Sequence, residues 1–213
     1  MTNVGVLGSG DVAQVLSKGL KKYGYTVKIG SRSVDKVAAF AAEAGIGAGT
    51  FAEVAAWADT LVLSVKGSAA LDVVRQLGSA AFAGKTVIDT TNAIADGAPE
   101  DGVLRVFTGP NESLLERLQA SAPSARFVKA FSCIGSDLMV DPALPGGRPS
   151  MFICGNDDAA KADVRRVCEQ FGHEVWDMGT AKAARAIEPL AILWCIPGFR
   201  QNDWTHAFAM LRP

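Results

Sequence analysis

The sequence predicts an α/β fold built on a doubly wound parallel sheet, and three features of the chain lead there. Short apolar runs alternate with segments of helical period along almost the whole length. The first apolar run stops at a glycine cluster that opens the first helix. No internal repeat or low-complexity linker interrupts the alternation. With 213 residues, 49% of them hydrophobic, and 22 glycines, the chain has the make-up of a globular domain. At this size about 70% of the unfolded surface can be buried.

The elements follow in order. Val4-Gly5-Val6-Leu7 is an apolar run bounded by glycine and reads as a buried strand. Residues 12–23 place Val12, Val15, Leu16 and Leu20 on one helical face, with Gly24 as the stop. Strand 26–29 and helix 34–44, closed by Gly45, complete the first unit. A short helix at 51–57, a strand at 60–65, a helix at 69–77 and a strand at 85–89 come next. Ser113 caps a helix reaching residue 121, and Glu116 stands at the capping-box position. Strand 126–130 precedes a loop at 132–149 rich in proline and glycine. Strand 151–154, helix 157–171 and strand 174–177 lead to an apolar helix from about 182 to 194, with a separate helical stretch after Pro197. The whole of 1–213 is expected to be one domain, with a core at 1–131 and a C-terminal α/β extension with a long terminal helix at 132–213.

Net charge is −1, with both signs spread along the chain, so no basic face is present for nucleic acid or an anionic membrane. No run reaches the ~18 apolar residues of a membrane span. The opening Met1-Thr2-Asn3-Val4 has none of the features of a secretion signal, so a cytoplasmic protein is expected. Cys133, Cys154, Cys168 and Cys195 are widely spaced and the chain has two histidines, which argues against a zinc site and for reduced, buried thiols.

Gly8-Ser9-Gly10-Asp11-Val12-Ala13 lies between the first strand and the first helix. In that context G-x-G-x-x-A is the dinucleotide fingerprint of a Rossmann-type sheet. Gly8 allows the tight turn, Gly10 lets a pyrophosphate approach the backbone, and Ala13 lets helix and sheet pack. The end of the second strand distinguishes the two nicotinamide carriers. A carboxylate there would hold a ribose 2′-hydroxyl, whereas this chain has Ser31-Arg32-Ser33 with Lys36 one turn on. Those groups suit a 2′-phosphate, so NADP(H) is expected rather than NAD. The carboxyl ends of the other strands should complete the cleft. They are Ser64-Val65-Lys66-Gly67, Asp89-Thr90-Thr91-Asn92 and Ala130-Phe131-Ser132-Cys133. Lys66 is a candidate contact for the cofactor or an anionic substrate.

With these residues in place, the sequence resembles the coenzyme F420-dependent NADP oxidoreductases. The matching blocks are Gly8-Ser9-Gly10, Gly30-Ser31-Arg32-Ser33 with Lys36, Val87-Ile88-Asp89-Thr90-Thr91-Asn92 and Val128-Lys129-Ala130-Phe131. Phe152-Ile153-Cys154-Gly155-Asn156-Asp157-Asp158 and Ala184-Arg185-Ala186-Ile187-Glu188-Pro189-Leu190 follow in the family's order. The reductase domain of the STEAP ferric reductases is similar at greater distance. The resemblance implies hydride transfer between nicotinamide C4 and a deazaflavin. It implies that Ser9, Gly10, Asp11 and Val12 cradle the pyrophosphate, that Ser31, Arg32 and Lys36 hold the 2′-phosphate, and that the second ring lies against the C-terminal segment. The chain departs from the family at Ser132-Cys133, where relatives read Asn-Thr, and at Ala93, where they read Pro. Deazaflavin, flavin, quinone and ferric chelate therefore all stay open as acceptors.

Hydride transfer between stacked rings needs orientation and a dry pocket more than acid–base chemistry. No catalytic side chain and no metal ligand is expected, and His173 and His206 are expected to be structural. Asn92, Ser132 and Cys133 are candidates for orienting the carboxamide or the acceptor. The apolar C-terminal segment, including Trp194, Phe199 and Trp204, is expected to form core, ring pocket or a homodimer interface. Two alternatives are weighed. A reductase of imines or hydroxyacids usually carries a catalytic Lys or Asp on the long helix, and the apolar run here lacks that Lys. A non-catalytic NADPH-binding redox sensor would keep the nucleotide site with a blocked nicotinamide pocket.

Overall fold

A computed structural model of the chain describes residues 3–212; Met1, Thr2 and Pro213 lie outside the described residues, and with them the first half of the segment read for a secretion signal. Eight strands are described, β1 (Asn3–Leu7), β2 (Thr26–Ser31), β3 (Gly47–Thr50), β4 (Thr60–Leu63), β5 (Thr86–Asp89), β6 (Arg126–Lys129), β7 (Ser150–Gly155) and β8 (Glu174–Asp177). The helices are α1 (Asp11–Lys22), α2 (Asp35–Ala44), α3 (Phe51–Trp57), α4 (Gly67–Leu77), α5 (Leu114–Ser121), α6 (Asp158–Gln170) and α7 (Ala184–Gln201). The sheet order is β3-β2-β1-β4-β5-β6-β7-β8. The order reverses between β1 and β4, and in such sheets that switch point opens a crevice at the strands' carboxyl ends.

Strands β1, β4 and β5 are buried almost throughout, which their continuous apolar runs require of a sheet covered on both faces. Leu61, Leu63, Val74, Leu115 and Phe127 form one core layer. Leu16, Leu20, Ile29, Val62, Val164 and Phe171 form the other. Capping chemistry fixes the helix starts. Ser113 accepts from the Glu116 amide while Glu116 accepts from Ser113, the predicted capping box. Thr50 and Glu53 form a second one at α3.

Three expectations are corrected. Strand β7 runs antiparallel to β6, pairing Val128 with Gly155 and Lys129 with Cys154. The 132–149 loop holds only a 3₁₀ turn at Ser136–Leu138 and no helix to carry the chain back along the sheet. The chain therefore re-enters the sheet from the end where β6 stops. Strand β3 was not expected, because Gly-Ala-Gly-Thr has little strand preference; it forms by pairing with the edge of β2. Finally, α7 is one helix containing Pro189 and Pro197 rather than two segments. Burial of Ile187, Glu188, Ala191, Trp194 and Gly198 along it outweighs the backbone hydrogen bonds the two prolines forfeit.

His173 is fully buried between β8 and the 132–149 loop. Its Nε2 pairs with the Met139 carbonyl at 2.8 Å, and its ring meets Phe131 edge-on. Burial lowers its pKa from the ordinary 6.5, the Met139 carbonyl raises it, and nearby Arg148 and Asp141 act in opposite senses. A base whose folded pKa is depressed stabilises the fold fully above the unfolded value. That stability drains away as pH falls below it toward the folded value. The melting temperature is therefore expected to decline on acidification from pH ~7 toward pH ~5, and His173→Gln should flatten that limb of the profile. An unchanged slope in the variant would remove His173 as its cause.

Candidate active site

Two clefts meet at the carboxyl ends of β1, β2, β4 and β5, and they share Gly10, Ser64, Val65 and Lys66. The smaller, ≈ 310 Å³, is walled by Gly8, Ser9, Ser31, Arg32 and Lys36. The larger, ≈ 750 Å³, runs past Asp11, Val12, Thr91, Asn92 and Ser132 to Trp194, Cys195 and Trp204. Together they form one groove with a basic end and an aromatic end.

Local geometry explains the glycines. The Gly8 amide donates to the Gly30 carbonyl at 3.0 Å, tying the turn to β2. A Cβ on Gly8 would stand 2.0 Å from the Ser64 carbonyl oxygen, whereas a Cβ on Gly10 would meet nothing within 4 Å. Gly10 is thus dispensable for the fold and leaves open space over the start of α1, whose first amides have no side-chain cap. Those amides and the positive dipole end suit a pyrophosphate. Gly10→Val is expected to change stability by no more than about 0.5 kcal/mol while abolishing NADP(H) binding by filling that space. Gly8→Ala should instead fail in folding. Thermal melts and calorimetry on the two variants check the contrast.

Arg32 and Lys36 are exposed beside the nearly buried Ser31, and neither makes an ion pair among the described residues. Lys66 borders both clefts and pairs with Asp96, an exposed contact of small energetic weight. In the middle of the groove, the Ser64, Ser132 and Asn92 side-chain oxygens are buried without a hydrogen-bond partner among the described residues. Unsatisfied buried oxygens are uncommon, and these three belong to residues that line one cleft. The Asn92 Nδ2 donates to the Ser132 carbonyl at 2.6 Å, which holds the two walls together.

Under the groove lies a buried ion cluster. Lys129 Nζ sits 2.7 Å from Asp89 Oδ2 and 2.9 Å from Glu188 Oε1, and donates to the Thr91 carbonyl at 2.6 Å. Burial opposes its charge, but the Asp89 and Glu188 carboxylates outweigh that and raise its pKa. Asp89 also accepts from the Thr91 amide and hydroxyl. Glu188 accepts from the Leu114 and Leu115 amides at the start of α5. The cluster ties the β5 loop, β6, α5 and α7 into one floor.

Of the expected site residues, the structure brings Gly8, Ser9, Gly10, Asp11, Val12, Ser31, Arg32, Lys36, Val65, Lys66 and Asn92 to the groove. It does not bring Ser33, which is exposed outside it, or Ala130, whose side chain is buried in the core against the α1 layer. Ser132 lines the groove, but Cys133 does not: it is buried, and burial pushes its thiol up to about 12, so it stays an inert neutral group. His206 accepts the Trp194 indole N–H on its backbone carbonyl. Ile94 and the Gly135–Asp137 segment line the aromatic end unforeseen; they lie in loops whose sequence carries no ligand signature.

The family model described as NADP oxidoreductase, coenzyme F420-dependent, matches residues 3–93. The crystal structure of a candidate F420-dependent NADP-reductase from Arthrobacter sp. FB24 superposes with a TM-score of 0.91 at 29% identity, covering 98% of this chain and 99% of that one. Metalloreductase STEAP3 of Rattus norvegicus is 29% identical over 199 residues, which span 91% of this chain but 38% of that protein. An imine reductase from Myxococcus stipitatus shares the fold alone, with a TM-score of 0.70 at 16% identity over 93% of this chain and 62% of that one. The resemblance read from the sequence is thus found again in these comparisons, and the fold is the Rossmann-type sheet it implies.

Proposed function

We propose that the chain is an NADP(H)-dependent oxidoreductase that transfers hydride between NADPH and a flat acceptor of the deazaflavin or flavin type. The polarity of the groove carries this reading: two unpaired cations at one end, orphaned oxygens in the middle and two indoles at the other. When bound, the nicotinamide supplies hydride from C4. The chain's own residues then have three tasks. Arg32, Lys36 and Ser31 select the 2′-phosphate, and the start of α1 takes the pyrophosphate. The oxygens of Ser64, Asn92 and Ser132 orient the carboxamide and ribose by accepting or exchanging hydrogen bonds. Trp194 and Trp204 stack on the acceptor and exclude water.

Calorimetry with NADPH and NADH, followed by NADPH oxidation against F420, FMN, quinones and ferric chelates, tests the proposal. Preference for NADPH with turnover of a flat acceptor is expected. Tight NADPH binding with no turnover across the panel would favour the redox-sensor alternative, and no binding would end the proposal. In the same reading the protein is cytoplasmic and a homodimer, with the exposed Leu193 and Phe199 of α7 as the apolar surface a second copy would cover. No helix of the described residues is long and apolar enough to cross a membrane. Sedimentation equilibrium checks the dimer; a monomer at micromolar concentration would contradict it.

A further inference from the structure

The aromatic end of the groove is finished by a segment outside every regular element. Helix α7 stops at Asn202, which takes the left-handed conformation (φ 55°), and the Asn202 amide returns to the Gly198 carbonyl at 2.9 Å. The chain reverses there and continues as a strap over residues 203–210. Its far end is fastened to β7: the Ser150 amide donates to the Phe208 carbonyl and the Met210 amide donates to Ser150 Oγ, both at 2.9 Å. Trp204 sits at the near end. Its ring lies over Gly198 so closely that a Cβ there would come within 2.3 Å of it, and it meets Phe199 edge-on.

His206 is the middle fastening. Its carbonyl accepts the Trp194 indole N–H at 2.8 Å, and its Nε2 stands 3.0 Å from the Trp194 carbonyl. A carbonyl can only accept, so Nε2 carries the hydrogen and donates it. The imidazole also stacks on the indole, with centroids 5.1 Å apart and planes inclined by 29°. One residue thereby holds both the backbone and the ring of Trp194. Trp194 and Trp204 line the larger cleft, whereas His206 does not. The two indole centroids are 5.7 Å apart, a contact distance that leaves no room for a third ring between them. A flat ligand must therefore lie across the cleft-facing side of the pair, and its fit depends on how the two indoles are set against each other.

We infer that His206 is a positioning residue for the acceptor: it fixes the setting of the Trp194–Trp204 pair on which the ring is laid, and itself touches neither ring nor carrier. This deepens the proposed function and rests on the flat acceptor named there. An unpinned strap would surrender its freedom each time a ring bound, so pinning it beforehand strengthens binding. The strap serves one end of the groove alone. Among the described residues, the walls of the basic cleft run from Gly8 to Gln76, so loosening the strap leaves the seats for pyrophosphate and 2′-phosphate intact.

His206→Ala, His206→Asn and His206→Gln in the full chain separate positioning from general stability. FMN binding is read by quenching of flavin fluorescence, the indole pair by near-ultraviolet circular dichroism, and NADP⁺ binding by calorimetry. His206→Ala is expected to weaken FMN about three- to tenfold, the size of a lost aromatic arrangement, and to reduce the indole dichroism, with NADP⁺ affinity unchanged within about twofold. The glutamine amide extends far enough to donate to the Trp194 carbonyl in place of Nε2, so His206→Gln should restore most of both signals; the shorter asparagine should not. That contrast decides the matter even where the alanine variant fails to fold. In a Trp204→Leu background the effect of His206→Ala should shrink, because both changes act on one surface. Equal FMN affinity in His206→Ala and the wild type, glutamine no better than asparagine, NADP⁺ affinity falling as far as FMN affinity, or no quenching by the wild type would each overturn the inference. Flavin binding that depends on His206 without any NADP⁺ heat would uphold it and strike the cofactor assignment alone.

Discussion

Arg32→Ala weakens NADPH binding by about 10- to 100-fold and leaves NADH within about twofold, the expected result of removing one charge-assisted contact to a phosphate that only NADPH carries. The geometry allows a clean experiment. Arg32 is exposed and has no ion pair among the described residues, so its loss should not disturb the sheet. Lys36 remains at the same end of the groove, which keeps the loss partial; Arg32→Ala with Lys36→Ala should abolish the preference. Titration calorimetry with both carriers reads the difference directly. Equal weakening of NADPH and NADH would show that Arg32 does not meet the 2′-phosphate.

Lys129→Met should destabilise the protein by about 3–5 kcal/mol, because it leaves Asp89 and Glu188 buried and unpaired. For a domain of this size that corresponds to a melting temperature lower by roughly 6–20 °C. The folded pKa of Lys129 is raised, so its contribution is fully present below the ordinary lysine value and lost only as pH climbs through the raised one. The wild-type protein therefore keeps this term across the physiological range. Combining Lys129→Met with Asp89→Asn and Glu188→Gln removes the stranded charges and should recover much of the loss. The cluster also holds Thr91, next to Asn92, and the helix that carries Trp194. The single variant should therefore bind NADPH less tightly even below its melting point. Denaturant unfolding of the single and triple variants checks the energetic claim; a single variant as stable as wild type would contradict it.

Much of the fold could be read locally. Val4 to Leu7 and Thr60 to Leu63 are apolar runs too short for helices and bounded by turns, and they are strands. Ser113 with Glu116 marks a helix start by hydrogen bonds made within four residues. Strand β3 escaped because two glycines and an alanine express no preference; only the open edge of β2 makes them a strand. Continuity of α7 through Pro197 escaped for a related reason. Local stereochemistry predicts a break there, and only packing along the rest of the helix overrules it.

The site divides along the same line. The glycine turn, the start of α1 and the cations after β2 were determined by the sequence alone, since strand, turn and helix set their relative positions within about 30 residues. The aromatic end, the orphaned oxygens of Ser64, Asn92 and Ser132, and the Lys129–Asp89–Glu188 cluster were decided only by the tertiary structure. Their members come from segments separated by tens of residues, and nothing in covalent proximity brings them together. Burial does so: the sheet order sets β6 beside β5, and α7 packs back so that Glu188 meets Lys129, which brings side chains remote in sequence together.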